Sequence, residues 1–150
     1  MKSSVSIVKC QDYDEDRVLS SLRQSIDLIG GIQTYVKRGS RVLLKPNLLF
    51  GKSPEKAVTT HPSIVRGMIQ IVREAGGVPS IGDSPSIGSL TWTAEKAGIK
   101  AVADETKCPL VEFNRPVLSP KGGGKTFRRL EIDQAIFDAD VIINLPKWKT

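Results

Sequence analysis

Arg41-Val42-Leu43-Leu44-Lys45-Pro46-Asn47 is an apolar run that stops on a polar, turn-forming cluster. The same pattern recurs twice. Val78–Ile81 opens into Gly82-Asp83-Ser84-Pro85, and Val141-Ile142-Ile143 opens into Asn144-Leu145-Pro146-Lys147. Short apolar runs bounded by turn residues read as strands. As parallel strands of one sheet, they would carry all three clusters on its carboxyl edge, where open α/β folds bind their ligands.

Helical periodicity separates these runs. Asp12, Asp14, Glu15 and Asp16 place negative charge where a helix dipole favours it. Val18, Leu19, Leu22, Ile26 and Ile29 then follow at helical spacing until Gly30-Gly31. Ahead of that helix, Ser4 to Val8 alternates with period two and reads as a first strand. Thr60, His61 and Pro62 start another helix, with the threonine hydroxyl as cap and the proline in the first turn. Ile64, Val65, Met68, Ile69 and Val72 form its buried face, and Gly76-Gly77 closes it. Ser89 or Thr91 caps a helix running to Gly98, Ile99–Lys107 continues as a second piece, and Pro109–Phe113 reads as a strand.

The order βαβαβαβ predicts an α/β fold: a three-layer, mainly parallel open sheet with helices on both faces. A β-hairpin-like excursion is expected near 117–132, around Lys121-Gly122-Gly123-Gly124-Lys125, with a brief helix at Ile136 and Phe137. Val141–Ile143 reads as a strand covered on both faces. Residues 1–150 make a single α/β domain. The sequence stops only a few residues after that strand, so it is expected to be the N-terminal part of a longer protein.

Hydrophobic residues make up 39% and charged residues 25% of the chain, the balance of a folded domain rather than a disordered one. No apolar stretch reaches the ~20 residues that span a bilayer, and the N-terminus lacks a signal peptide's apolar core. A cytoplasmic location without a membrane partner is therefore expected. The formal charge of +6 invites nucleic acid, but the basic residues are dispersed and only 5% of residues are aromatic, leaving few stacking platforms. Cys10 and Cys108 lie far apart and form no C-x-x-C pair, so both are expected to be buried free thiols rather than zinc or iron–sulfur ligands.

Gly122-Gly123-Gly124-Lys125-Thr126 imitates a phosphate-binding P-loop and fails the pattern, which needs glycine where Ser119 stands. The residues after it alternate like a strand instead of opening a helix. His61, the one histidine, reads either as a helix-start residue whose ring caps a backbone group or as a group titrating near neutrality in the crevice. Asp83 is either a turn aspartate bonded to nearby amides or a carboxylate able to act as a base or to meet a cation. Lys45, Lys147 and Lys149 either project into water or converge beside Asn47 and Asn144 as a pocket for a phosphate or carboxylate.

Lys45-Pro46-Asn47-Leu48, Thr59-Thr60-His61-Pro62, Glu74-Ala75-Gly76-Gly77, Gly82-Asp83-Ser84-Pro85 and Asn144-Leu145-Pro146-Lys147-Trp148-Lys149-Thr150 stand in a characteristic order. In this order the sequence resembles the domain of unknown function 362 family over nearly its whole length. The resemblance marks Lys45, Asn47, Thr60, His61, Asp83, Ser84, Asn144, Lys147 and Lys149 as motif positions and brings no established role for any of them. Many members carry a fused ferredoxin-like module with two 4Fe–4S cysteine motifs. The cysteines of that module are absent here, so the resemblance implies clusters only in members that have it, and no cofactor is assigned to this chain.

The expectation is an α/β domain binding a small anionic ligand at the carboxyl edge of its sheet, within a redox or metabolic, iron–sulfur-associated protein. Lys45, Asn47, Thr60, Ser84, Asn144, Lys147 and Lys149 would bind the ligand, with His61 and Asp83 as the catalytic pair. The alternative is a non-enzymatic scaffold or interaction domain that docks an electron-transfer module, such as a C-terminal or separate ferredoxin-like module.

Overall fold

A computed structural model describes residues 4–119, 126 and 129–148. Its helices are α1 Glu15–Asp27, α2 Pro62–Glu74, α3 Leu90–Lys96, α4 Ile99–Thr106 and α5 Gln134–Asp138. Its strands are β1 Arg41–Pro46, β2 Val78–Asp83, β3 Leu110–Glu112, β4 Pro116–Leu118, β5 Glu131–Asp133 and β6 Val141–Leu145. Four strands form a parallel sheet in the order β3-β2-β1-β6, and β4 pairs antiparallel with β5. Helices flank the sheet, so the fold is the three-layer α/β arrangement that the sequence predicts. The glycine run Lys121–Lys125, expected within the excursion, lies outside the described residues.

The core follows from side-chain period. Val65, Met68, Ile69 and Val72 of α2 return to one face every three or four residues and meet Val42 and Leu44 of β1 and Ile81 of β2. Successive strand residues point to opposite faces, so Leu43 is buried on the other side, near the end of α5. Leu19, Leu22 and Ile26 bring α1 onto the same core as α2. Gly76, at φ +83, is the left-handed residue that ends α2, and Gly77 then passes so close that an added Cβ would sit 2.7 Å from Val36 and 2.9 Å from Val72.

Two strand expectations need correction. No strand forms at residues 4–8: Val5 and Ile7 are exposed, and alternation alone stabilises nothing without a neighbouring strand to pair with. Strand β6 is not covered on both faces. It is an edge strand paired only with β1 among the described residues; Val141 and Ile143 turn toward the core while Ile142 stays 43% exposed. Cys10, expected to be buried, is exposed; Cys108 is buried, with its thiol donating to the Pro79 carbonyl.

Strand succession runs outward from β1 through β2 to β3, then the chain returns to the other side of β1 as β6. The order therefore reverses about β1. In open α/β sheets a ligand crevice lies beyond the carboxyl ends of the strands at such a reversal.

Candidate functional site

Thr60 holds the rim at that reversal together. Its buried hydroxyl accepts the Asn47 amide at 2.8 Å and donates to the Leu145 carbonyl at 2.6 Å, joining the end of β1 to the end of β6. The Thr60 amide in turn donates to the Asn47 carbonyl, and the Asn47 side chain donates to Val58. Thr60 is therefore not the cap of α2, as its sequence position suggests. His61 is the cap: its Nδ1 accepts the Ser63 amide at 3.3 Å and lies 2.8 Å from the Ser63 hydroxyl. An amide can only donate, so Nδ1 carries no proton, and the neutral ring bears its hydrogen on Nε2.

One step along the rim, Lys45 and Asp83 form an ion pair at 2.6 Å. Asp83 is 5% exposed, and its second carboxylate oxygen accepts the Leu48 amide at 2.9 Å. A buried carboxylate needs such partners, and these two consume both oxygens. The pair closes the ends of β1 and β2 and leaves little net charge there.

On the β6 side the rim opens into a hollow of about 320 Å³ walled by Tyr13, His61, Ile64, Asn144, Lys147 and Trp148. Tyr13 stacks on His61 with ring centroids 3.9 Å apart and planes 13° from parallel. The Lys147 ammonium donates to the Tyr13 hydroxyl at 3.0 Å and lies 5.5 Å from that ring's centre. Burial pushes the His61 pKa below its ordinary value, the Lys147 charge pushes the same way, and the Glu55 carboxylate opposes both. His61 is thus a neutral imidazole at pH 7.

The structure brings Lys45 to Asp83, Asn47 to Thr60, and His61 to the neighbourhood of Lys147 and Asn144. Lys45 and Asn144 are register partners across β1 and β6, so all three strand ends share one edge. Among the described residues Asp83 bonds to Lys45 and Leu48 and His61 to Ser63, with no hydrogen bond or ion pair between the two, and Ser84 is exposed. Lys149 lies outside the described residues. Sequence reasoning missed Tyr13 and the wall formed by Trp148. Tyr13 sits in an acidic run just before α1, where no periodicity marks it, and only the packing of α1 against α2 brings it to His61.

A second hollow of about 320 Å³ opens at the opposite edge against Leu43, Val78, Pro79 and Val111. Its guanidinium groups are already paired, Arg41 with Asp140 and Arg115 with Asp138, so it offers an anion little. The cysteines do not fit a cluster. Burial raises the Cys108 pKa to about 11, Cys10 donates from the surface to Asp12, and no group of three potential ligands occurs among the described residues.

No helix of the described residues is long and apolar enough to cross a membrane. A thylakoid-associated protein of Synechocystis is 41% identical over an alignment of 155 residues that covers all of this chain and 46% of that relative. The chain thus spans less than half the length of the curated relative it matches. No solved structure matches it. Residues 42–150, which hold every rim motif described above, match the family described as Domain of unknown function (DUF362), and the chain belongs to that family.

Proposed function

We propose that the domain binds a small anion, a phosphate or carboxylate, in the hollow beyond β1 and β6, with Lys147 as the principal cation. One observation carries this reading: Lys147 lines the hollow without a carboxylate partner among the described residues, whereas Lys45 is committed to Asp83. Asn144 would orient the ligand, and Lys149 would add charge. The Nε2 hydrogen of His61 would donate to the ligand or exchange a proton with it. Asp83, with both oxygens in use, would steady the Lys45–Leu48 turn, so His61 rather than the His61–Asp83 pair would do the proton work.

Calorimetric titration with inorganic phosphate and with acetate tests this. Wild type should show saturable binding of at least one, and Lys147→Ala should weaken it about tenfold, the scale of a lost charge-assisted hydrogen bond. No binding by wild type, or unchanged affinity in the variant, refutes the assignment.

In the whole protein this site would serve a redox or metabolic enzyme, with 4Fe–4S clusters supplied by a ferredoxin-like module that is fused or separate. That part rests on the family resemblance. A cytoplasmic site of action remains the reading, and the name of the Synechocystis relative adds contact with a membrane surface as its natural extension.

A second reading, a scaffold domain, has its own observation. The open edge of β6 borders an apolar hollow of about 280 Å³ formed with Ile26, Ile29, Ile32, Tyr35 and Met68. Its occupant would be the polypeptide making up the rest of a full-length protein such as the relative, whose remaining 54% this chain does not cover (100% less the 46% covered). Ile142→Lys should abolish capture of that polypeptide expressed separately. Capture undiminished by the change removes this reading.

A further inference from the structure

We infer that the anion's carrier is a planar ring: an aromatic carboxylate or aryl phosphate whose flat face lies in the hollow while its charge meets Lys147. This deepens the anion-binding reading and rests on it. The hollow is larger and more aromatic than a bare oxyanion needs. About 320 Å³ lies within the ~300–1,000 Å³ range of sites that enclose small organic molecules. Tyr13 and His61 already stack face to face, making a flat double shelf on one side. Trp148 lines the same hollow and is 90% exposed, a large flat surface with almost none of its area covered. Ile64 and Leu145 add apolar lining.

The polar groups sit at the margin of this aromatic slot. The Lys147 ammonium lies 3.0 Å from the Tyr13 hydroxyl and 5.5 Å from the ring centre, so it marks one end of the shelf. Asn144 is exposed at the end of β6 and lines the same hollow. A flat ring between aromatic walls, with its charge directed to one end, satisfies both the apolar and the cationic halves of the site. A tetrahedral phosphate or an acetate engages only the cationic half. Neutral His61 suits a stacking wall, because an uncharged imidazole next to Lys147 avoids like-charge repulsion.

The test compares matched probes by calorimetry and by tryptophan fluorescence. Phenyl phosphate is set against inorganic phosphate, benzoate against acetate, and cyclohexanecarboxylate against benzoate to separate flatness from mere apolarity. Wild type should bind at least one aryl probe about tenfold more tightly than its small counterpart, the scale of an aromatic stacking contact. Benzoate should exceed cyclohexanecarboxylate. Trp148→Ala, and separately Tyr13→Leu, should lose most of the aryl advantage, read within each variant as the ratio of its aryl to its small-anion affinity. Equal affinities for aryl and small anions overturn this inference and leave the anion reading standing. An aryl advantage that survives both variants, or that cyclohexanecarboxylate shares, also overturns it. Absence of binding by every probe overturns both.

Discussion

Two lysines on one edge have opposite duties at the scale of single residues. Lys45 answers the charge of Asp83, whose other oxygen holds the Leu48 amide, so the pair is part of the folded frame. Asp83→Ala strips a buried amide and a half-exposed lysine of their partner, and should cost about 1–3 kcal/mol in urea denaturation. Solvent around Lys45 keeps the loss below that of a fully buried pair. Lys147→Ala should change stability by about 0.5 kcal/mol or less while removing the main contact of the proposed anion. If both changes destabilise equally, the division of labour drawn here is wrong. His61 adds a pH signature. Its folded-state pKa is held below the ordinary 6.5 by burial and by Lys147, against Glu55, so the unfolded chain takes up the proton first. The stability linked to neutral His61 is fully present above about pH 6.5 and drains away as pH falls through the lower, folded-state value. Asn caps helices well and does not titrate, so His61→Asn should flatten the loss of urea midpoint between pH 7 and pH 5 relative to wild type. Parallel curves for the two proteins would contradict the assignment.

At the scale of elements, what holds the rim is a lacing of loop to strand rather than any one strand. Thr60 is the stitch between β1 and β6, and Thr60→Val keeps its shape while leaving the Asn47 amide and Leu145 carbonyl without their partner. The expected cost is about 1–3 kcal/mol, with faster amide exchange at Asn47 as the local readout. Unchanged exchange there would show that the stitch is redundant. Where α2 hands over to β2, Gly77→Ala would force a Cβ against two stiff valines, Val36 and Val72, and should cost about 1–3 kcal/mol in thermal or urea unfolding. These elements differ in how plainly the sequence announces them. The α2 face of Val65, Met68, Ile69 and Val72 is a periodic signal, and so is the apolar β1, because burial against a core imposes the period. Ser4–Val8 has the alternation of a strand and none of its pairing, since pairing depends on a partner that periodicity does not encode. Thr60 reads as a cap because hydroxyls before helices usually are caps; its bond to Leu145, 85 positions away, is a tertiary fact.

For the molecule as a whole, one topological feature sets the location of the proposed site. The strand order reverses about β1, and the polar clusters of three chain-distant strands meet there on a common edge. That convergence was legible, because each cluster closes an apolar run and parallel strands share an edge. The chemistry at the edge was only half legible. Lys147 and His61 stand out as residue types, whereas the aromatic wall of Tyr13 requires α1 to be packed on α2 first. The formal charge of +6 favours anions over the whole surface, so weak binding should decline as salt is raised. Location, not affinity alone, is therefore the discriminating quantity. The most direct measurement is an amide-resolved NMR titration of the intact chain with inorganic phosphate at moderate salt. Saturable shifts should cluster at Thr60–Ile64, Asn144–Trp148 and Tyr13, and Lys147→Ala should move their saturation to about tenfold higher phosphate. Saturation centred instead on Arg41 and Arg115 at the opposite edge, or no saturable shift anywhere, would contradict a ligand site at the carboxyl ends of β1 and β6.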